Sequence, residues 1–214
     1  MNAILLAVAV LSAPSVSTVP DGSLLILRNS NKPVAAATGS DITHLAMVFF
    51  EDEAEWVYEA TPAKVRRLLL TEYRRELGVL SHDRVKPPSV SILEPRYPYS
   101  ELQIERMRKY ARSQIGRRYS IQGYVRRQES DGIHCAQLTA ATLQASGRFH
   151  FDEAYAISPG ELISEVASLH KSSAPLKVTS TPKAGSWCQR SWATWFNYGA
   201  WCRWACYETW TFCW

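Results

Sequence analysis

The chain has 214 residues, 46% of them apolar and 21% charged, with a net charge of +4 at pH 7. That length suffices for one domain with a substantial core, and the composition is ordinary for a globular protein. The Arg pairs at 66–67, 74–75, 117–118 and 126–127 are mostly mixed with acidic residues. They form no long basic stripe and no recognition motif, which argues against nucleic-acid binding.

The chain begins MNAILLAVAVLSAPSVSTVP. The apolar run 3–11 has the length of a signal-peptide core and is too short to span a bilayer. Ser15 and Ser17 are small enough for cleavage near Thr18, although no Lys or Arg precedes the run. Residues 1–17 therefore read as a signal peptide, and a secreted or periplasmic protein is expected. A buried first strand or a tail is the alternative.

DGSLLILRNS places an apolar run after an Asp-Gly turn and predicts a strand near 24–27. DITHLAMVFFE and EWVYEA predict two more strands. TPAKVRRLLLTEYRRELG is ambiguous: Val65, Leu68, Leu69 and Tyr73 fit one helical face, but Thr71 could cap a shorter helix ending before Gly78. The Pro-rich stretch that follows allows a short strand at 90–93. Ser100 and Gln103 form a capping box for a helix that buries Ile104, Met107, Ala111 and Ile115 and stops at Gly116. A further helix begins at Cys135 with Leu138, Ala141, Thr142 and Ala145 on one side, and ends at Gly147. Ser158 and Pro159 start another. Strands and helices in separate runs predict an α+β fold.

Residues 172–186 read as a linker. Residues 187–214 hold seven Trp and four Cys, with no Val, Ile, Leu or Met. In an exported chain, Cys188, Cys202, Cys206 and Cys213 suggest two disulfides with three possible pairings. The Trp-rich surface suits peripheral contact with a membrane or a cell wall. An extension without a fold of its own is the bland alternative.

Cys135 stands apart from those four, where a helix N-terminus would lower its pKa. A nucleophile also needs a held base. His44 opens the strand HLAMVFF, where a polar ring must be hydrogen-bonded. Glu59, near the end of the next strand, could fix its tautomer if the two strands pair. His134 is adjacent to Cys135, but neighbouring side chains at a helix start point apart. His150 lies in RFHFDEAY, whose alternation permits a strand, and His82 and His170 lie in polar surroundings. Singly, each of these residues has a structural explanation. A zinc site of His44, Glu59 and Cys135 is a further option, without the close-spaced ligand pair such sites usually show.

The ordered segments LLILR, TGSDITHLAMVF, WVYEA, ARSQIGRRYS, HCAQLTAATL and SPGEL together resemble the circularly permuted branch of NlpC-type, papain-like cysteine peptidases. Lecithin:retinol acyltransferase-like enzymes are related to that branch. The resemblance covers about residues 21–162 and implies a permuted papain-like domain over 18–171, with a small antiparallel sheet or barrel packed on helices. It implies that Cys135 is the nucleophile, His44 the general base, Glu59 the residue that orients His44, and Tyr119 a substrate-positioning or oxyanion residue. No cofactor and no metal are implied. The substrate would be a peptide, a peptidoglycan stem peptide or an acyl lipid. Departures are Asp21-Gly22 for the family's Gly-Asp, Ala46 for a small glycine and Ala136 for a serine. The alternative is a non-catalytic wall- or membrane-binding protein with a decayed domain and an aromatic tail.

Overall fold

Among the described residues, six strands form one antiparallel sheet: β1 (Ser23–Arg28), β2 (Ile42–Glu51), β3 (Ala54–Ala60), β4 (Val65–Leu69), β5 (Ser89–Leu93) and β6 (Ala174–Pro175). Their spatial order is β4-β3-β2-β1-β5-β6. The computed structural model describes residues 19–82 and 87–182, and beyond them positions 185, 199, 202, 203 and 206. A signal peptide at 1–17 therefore lies outside the described residues, as does most of the tail, Cys188 and Cys213 included. The Cys202 thiol is not in a disulfide. Among the described residues, no helix is long and apolar enough to cross a membrane.

The unbroken apolar runs of β1 and β2 follow from burial on both faces. Leu24, Ile26, Leu45, Met47, Phe49 and Tyr58 pack against α3 (Glu101–Ser113), α5 (Cys135–Ala145) and α6 (Pro159–Val166). Leu25, Leu27, Ala46, Val48, Val57 and Leu68 meet Leu70, Tyr73 and Leu77 of α2 (Leu70–His82). Two short helices, α1 (Lys32–Thr38) and α4 (Gln122–Arg126), lie in the connections. The β2–β3 hairpin turns at Asp52 and Glu53, both with positive φ (50° and 62°), the conformation that a tight hairpin turn demands.

The ambiguous stretch at 65–82 is two elements. Residues 65–69 pair with β3 as a strand, and the helix begins only at Leu70. Cross-strand pairing overrides the helical spacing of Val65, Leu68 and Leu69. Nor does α2 stop before Gly78, which lies inside it. A Cβ there would lie 2.3 Å from the Thr179 carbonyl oxygen, and the Thr181 N–H donates to the Gly78 carbonyl at 3.2 Å. The glycine permits a close approach rather than a helix end.

That approach corrects the expected linker at 172–186. Residues 174–175 extend the sheet as β6, and Leu176 is buried in the α2-side core with its N–H on the Val90 carbonyl. The folded unit therefore reaches Thr181. Three smaller differences stand beside it. Helix α3 ends at Ser113, and Gly116 (φ 88°) closes the following turn with Ile115 exposed. Helix α5 is buried nearly all round rather than along one stripe. His150 lies in no strand, and its exposed ring sits 3.0 Å from Asp152.

Candidate active site

The ladder between β2 and β3 sets the first two groups. Ala46 lies directly opposite Glu59, so both point to one face. His44, two residues earlier on β2, shares that face as a diagonal neighbour. Its Nε2 lies 2.7 Å from Glu59 Oε2. Strand β4 adds a third group, because Arg66 is directly opposite Glu59. Arg66 Nε donates to Glu59 Oε1 at 2.8 Å, and its Nη2 also lies 2.6 Å from Glu76 Oε2.

Glu59 is 3% exposed, yet both its oxygens carry donors. Burial pushes its pKa up, but the His44 hydrogen bond, the His44 charge and Arg66 together hold it below the ordinary carboxylate range. Glu59 is thus ionised, and it keeps a proton on His44 Nε2. That leaves Nδ1 as the ring nitrogen open to another partner.

Helix α5 brings that partner. Cys135 is its first residue and is 3% exposed. The His44 ring and the backbone N–H groups of Leu45 and Ala136 lie near enough to the thiol to act on its pKa. Burial raises its pKa, but the His44 hydrogen bond and charge and the two N–H groups lower it further, so the net shift is downward. His44 moves the opposite way. Burial lowers its pKa, but hydrogen bonds and charge from Cys135 and Glu59 push it up to about 10. The two shifts are opposite in direction and share one cause, since imidazolium and thiolate each favour the charged form of the other.

His134 has a different task. Its Nδ1 accepts from the Gln137 N–H at 3.3 Å, and its Nε2 donates to the Tyr155 carbonyl at 2.9 Å. The imidazole is the N-cap of α5, where an Asn or Ser side chain is more usual. Burial holds its pKa at about 4, against a weaker upward pull from Tyr155, so the ring is neutral. His170 is also structural: it is buried and donates Nδ1–H to the Val166 carbonyl at 2.8 Å. His82 lies at the end of α2, 3.3 Å from Ser180 Oγ.

Tyr119 reaches the site on a segment clamped from two sides. Toward β4, the Gly116 N–H donates to the Val65 carbonyl at 2.9 Å and the Val65 N–H to the Arg117 carbonyl at 2.8 Å. Toward α5, the Ile133 N–H donates to the Arg118 carbonyl at 3.0 Å. The Arg117 guanidinium holds the carbonyls of Asp131 (2.8 Å), Ser130 (2.9 Å) and Gly132 (3.0 Å). A Cβ on Gly132 would fall 2.2 Å from the Ser120 Cβ, so the two segments meet this closely only with glycine there. Tyr119 then packs with Ala60, Val65, Ile133, Cys135 and Leu138.

Tyr119 forms part of the wall of two cavities. A cleft of about 140 Å³ opens on Cys135 and is walled mainly by apolar groups, among them Val34, Ile121, Val125 and Pro159. A chamber of about 400 Å³ opens on His44 and Glu59, with Thr43, Arg66, Glu76 and Tyr73 in its wall.

The fold has a counterpart among solved structures. It is similar to that of metalloprotein yiiX from Escherichia coli O157:H7. The TM-score is 0.53 at 13% identity, and the match covers 76% of this chain and 99% of that one. No family model matches the chain, and no curated protein matches it. The likeness to yiiX is one of fold.

The structure thus pairs His44 with Glu59 by a hydrogen bond, brings Cys135 near enough to His44 for each to shift the other's pKa, and packs Tyr119 with Cys135. Sequence reading missed Arg66 and the capping role of His134. Arg66 had a signal: once 65–69 is taken as a strand hairpinned to β3, Arg66 falls opposite Glu59.

Proposed function

We propose that the chain is an exported cysteine hydrolase of the circularly permuted NlpC-type, papain-like architecture, cleaving an ester or amide through an acyl-enzyme. The observation that carries this reading is the row Glu59–His44–Cys135, with the thiol buried at the start of α5 and its pKa lowered. The thiolate attacks the carbonyl carbon. The backbone N–H of Cys135, at the start of α5, stabilises the developing oxyanion. Imidazolium His44 protonates the leaving group, and the thioester remains. Glu59, fixed by Arg66, keeps the ring oriented and stabilises its charged form.

The cleft beside Cys135 bears on substrate. Its walls are apolar, and burial there favours an aliphatic group by about 0.8 kcal/mol per CH₂. An acyl lipid or similar ester therefore suits it better than a charged peptidoglycan stem peptide.

A metal does not suit this donor set. Each Glu59 oxygen is already bound, one to His44 and one to Arg66, and the guanidinium occupies the place of a second cation. Among the described residues, no group of three His, Cys, Asp or Glu side chains is arranged to hold a metal ion.

Hydrolysis of p-nitrophenyl butyrate tests the reading. The protein should release p-nitrophenol and carry a butyryl adduct at Cys135 by intact mass and peptide mapping. Cys135→Ala should do neither. A protein no faster than Cys135→Ala, with no adduct, would support the non-catalytic wall- or membrane-binding alternative.

A further inference from the structure

The cleft that holds Cys135 has a definite capacity. Helix α1 contributes Val34 and Ala37 to its wall, and α4 contributes Tyr124 and Val125. Val125 is 47% exposed, whereas Cys135 and Ile157 are buried, so the cleft runs from an open rim to a closed floor. The polar side chains of its wall are engaged with backbone. Asn31 Oδ1 accepts from the Val34 N–H at 3.3 Å, and the Thr38 hydroxyl donates to the Val34 carbonyl at 2.9 Å. The Ser158 hydroxyl accepts from the Glu161 N–H at 3.2 Å, and both ring nitrogens of His134 are bonded. A polar acyl group would lose its water there and find these partners taken, whereas an alkyl group loses nothing. Size is the second limit. An apolar cavity of about 150 Å³ holds one benzene, so this cleft of about 140 Å³ has room for about six carbon atoms.

We propose that the cleft is a short-acyl pocket, which selects acyl groups of up to about six apolar carbons, and that Val34 sets this limit. The inference rests on the acyl-enzyme reading above and narrows its substrate to short-chain esters. The reacting carbonyl lies at Cys135, and the alkyl carbons fill the cleft. Each CH₂ that enters leaves water and raises kcat/KM about fourfold. A carbon beyond the capacity either emerges at the rim beside Val125 or meets a filled wall, and in both cases it adds nothing. Val34 is half-buried in that wall. Its N–H and its carbonyl are held by Asn31 and Thr38, so its side chain is a fixed boundary.

The probes are the p-nitrophenyl esters of acetate, butyrate, hexanoate, octanoate and decanoate, each below its micelle concentration and with the Cys135→Ala rate subtracted. In the wild type, kcat/KM should climb about fourfold per CH₂ from acetate to hexanoate, on the order of a hundredfold in all. It should be no higher for octanoate and decanoate. Val34→Phe places a larger side chain in the wall, so its hexanoate-to-acetate ratio of kcat/KM should fall at least about tenfold. A ratio taken within one protein is insensitive to a general loss of fold or activity, and if the variant does not fold, the wild-type series decides. A kcat/KM that keeps climbing through decanoate overturns the proposal, as does one that is flat from acetate to hexanoate. An unchanged hexanoate-to-acetate ratio in Val34→Phe overturns the role of Val34. A wild-type protein no faster than Cys135→Ala with every ester overturns the acyl-enzyme reading, whereas turnover without a break at hexanoate overturns the pocket alone.

Discussion

Replacing His134 with Asn should remove a pH dependence of stability while keeping the helix capped. In the native protein, burial holds His134 at about 4, and the unfolded chain returns it to about 6.5. Between those values the unfolded state binds a proton that the folded state does not. Stability from this group is therefore complete above about pH 6.5 and is lost as pH falls toward 4. From pH 7.5 to pH 4.5 the loss works out at about 2.5 kcal/mol. Asn can still accept from the Gln137 N–H but carries no titrating group, and it gives up the 2.9 Å bond to the Tyr155 carbonyl. His134→Asn should thus be about 1 kcal/mol less stable than the wild type at pH 7.5. At pH 4.5 it should equal or exceed the wild type. Urea unfolding followed by tryptophan fluorescence at both pH values measures the difference. A deficit that is the same at pH 7.5 and pH 4.5 would show that His134 is not a buried neutral cap. The thiol of Cys135 should alkylate with an unaltered pH profile in the variant, because His134 bonds Gln137 and Tyr155 rather than sulfur.

Arg66→Gln should leave Glu59 with one charged partner in place of two, raise its pKa and lower p-nitrophenyl ester turnover about tenfold; stability should fall by about 2 kcal/mol, both readable by steady-state kinetics and urea unfolding. Truncation after residue 182 should preserve cooperative unfolding, whereas truncation after residue 172 should lower the thermal midpoint by several degrees, because it removes β6 and buried Leu176. Gly78→Val should destabilise by more than about 2 kcal/mol in urea unfolding, since its side chain meets the Thr179 carbonyl, and the penalty should shrink in the protein truncated after residue 172.

The parts of the fold legible in the sequence were those fixed by local chemistry. Asp21-Gly22, the apolar run after it, and the Ser100 and Ser158 capping boxes each determine their own element. The parts that depend on contacts far along the chain were not legible. Residues 65–69 are a strand only because β3 is there to pair with, and Gly78 lies mid-helix only because residues 179–181 pack against it. The same division runs through the site. His44, Glu59 and Cys135 stood out because each is a chemically capable group beside a recognisable element. Arg66 was one of many surface-like arginines until β4 placed it opposite Glu59. His134 resembled a candidate base from its position alone, and only its two hydrogen bonds assign it to the helix cap.

The central claim is that His44 holds Cys135 as a thiolate, and the pH dependence of Cys135 alkylation tests it most directly. Iodoacetamide modification at Cys135, followed by peptide mapping, should titrate below the ordinary thiol range in the wild type, as its lowered pKa requires. In His44→Ala the cation is gone while burial remains, so the titration should move above the ordinary thiol value and the rate at pH 7 should fall by at least tenfold. A midpoint shared by the two proteins would contradict the claim and remove His44 from any role as the base.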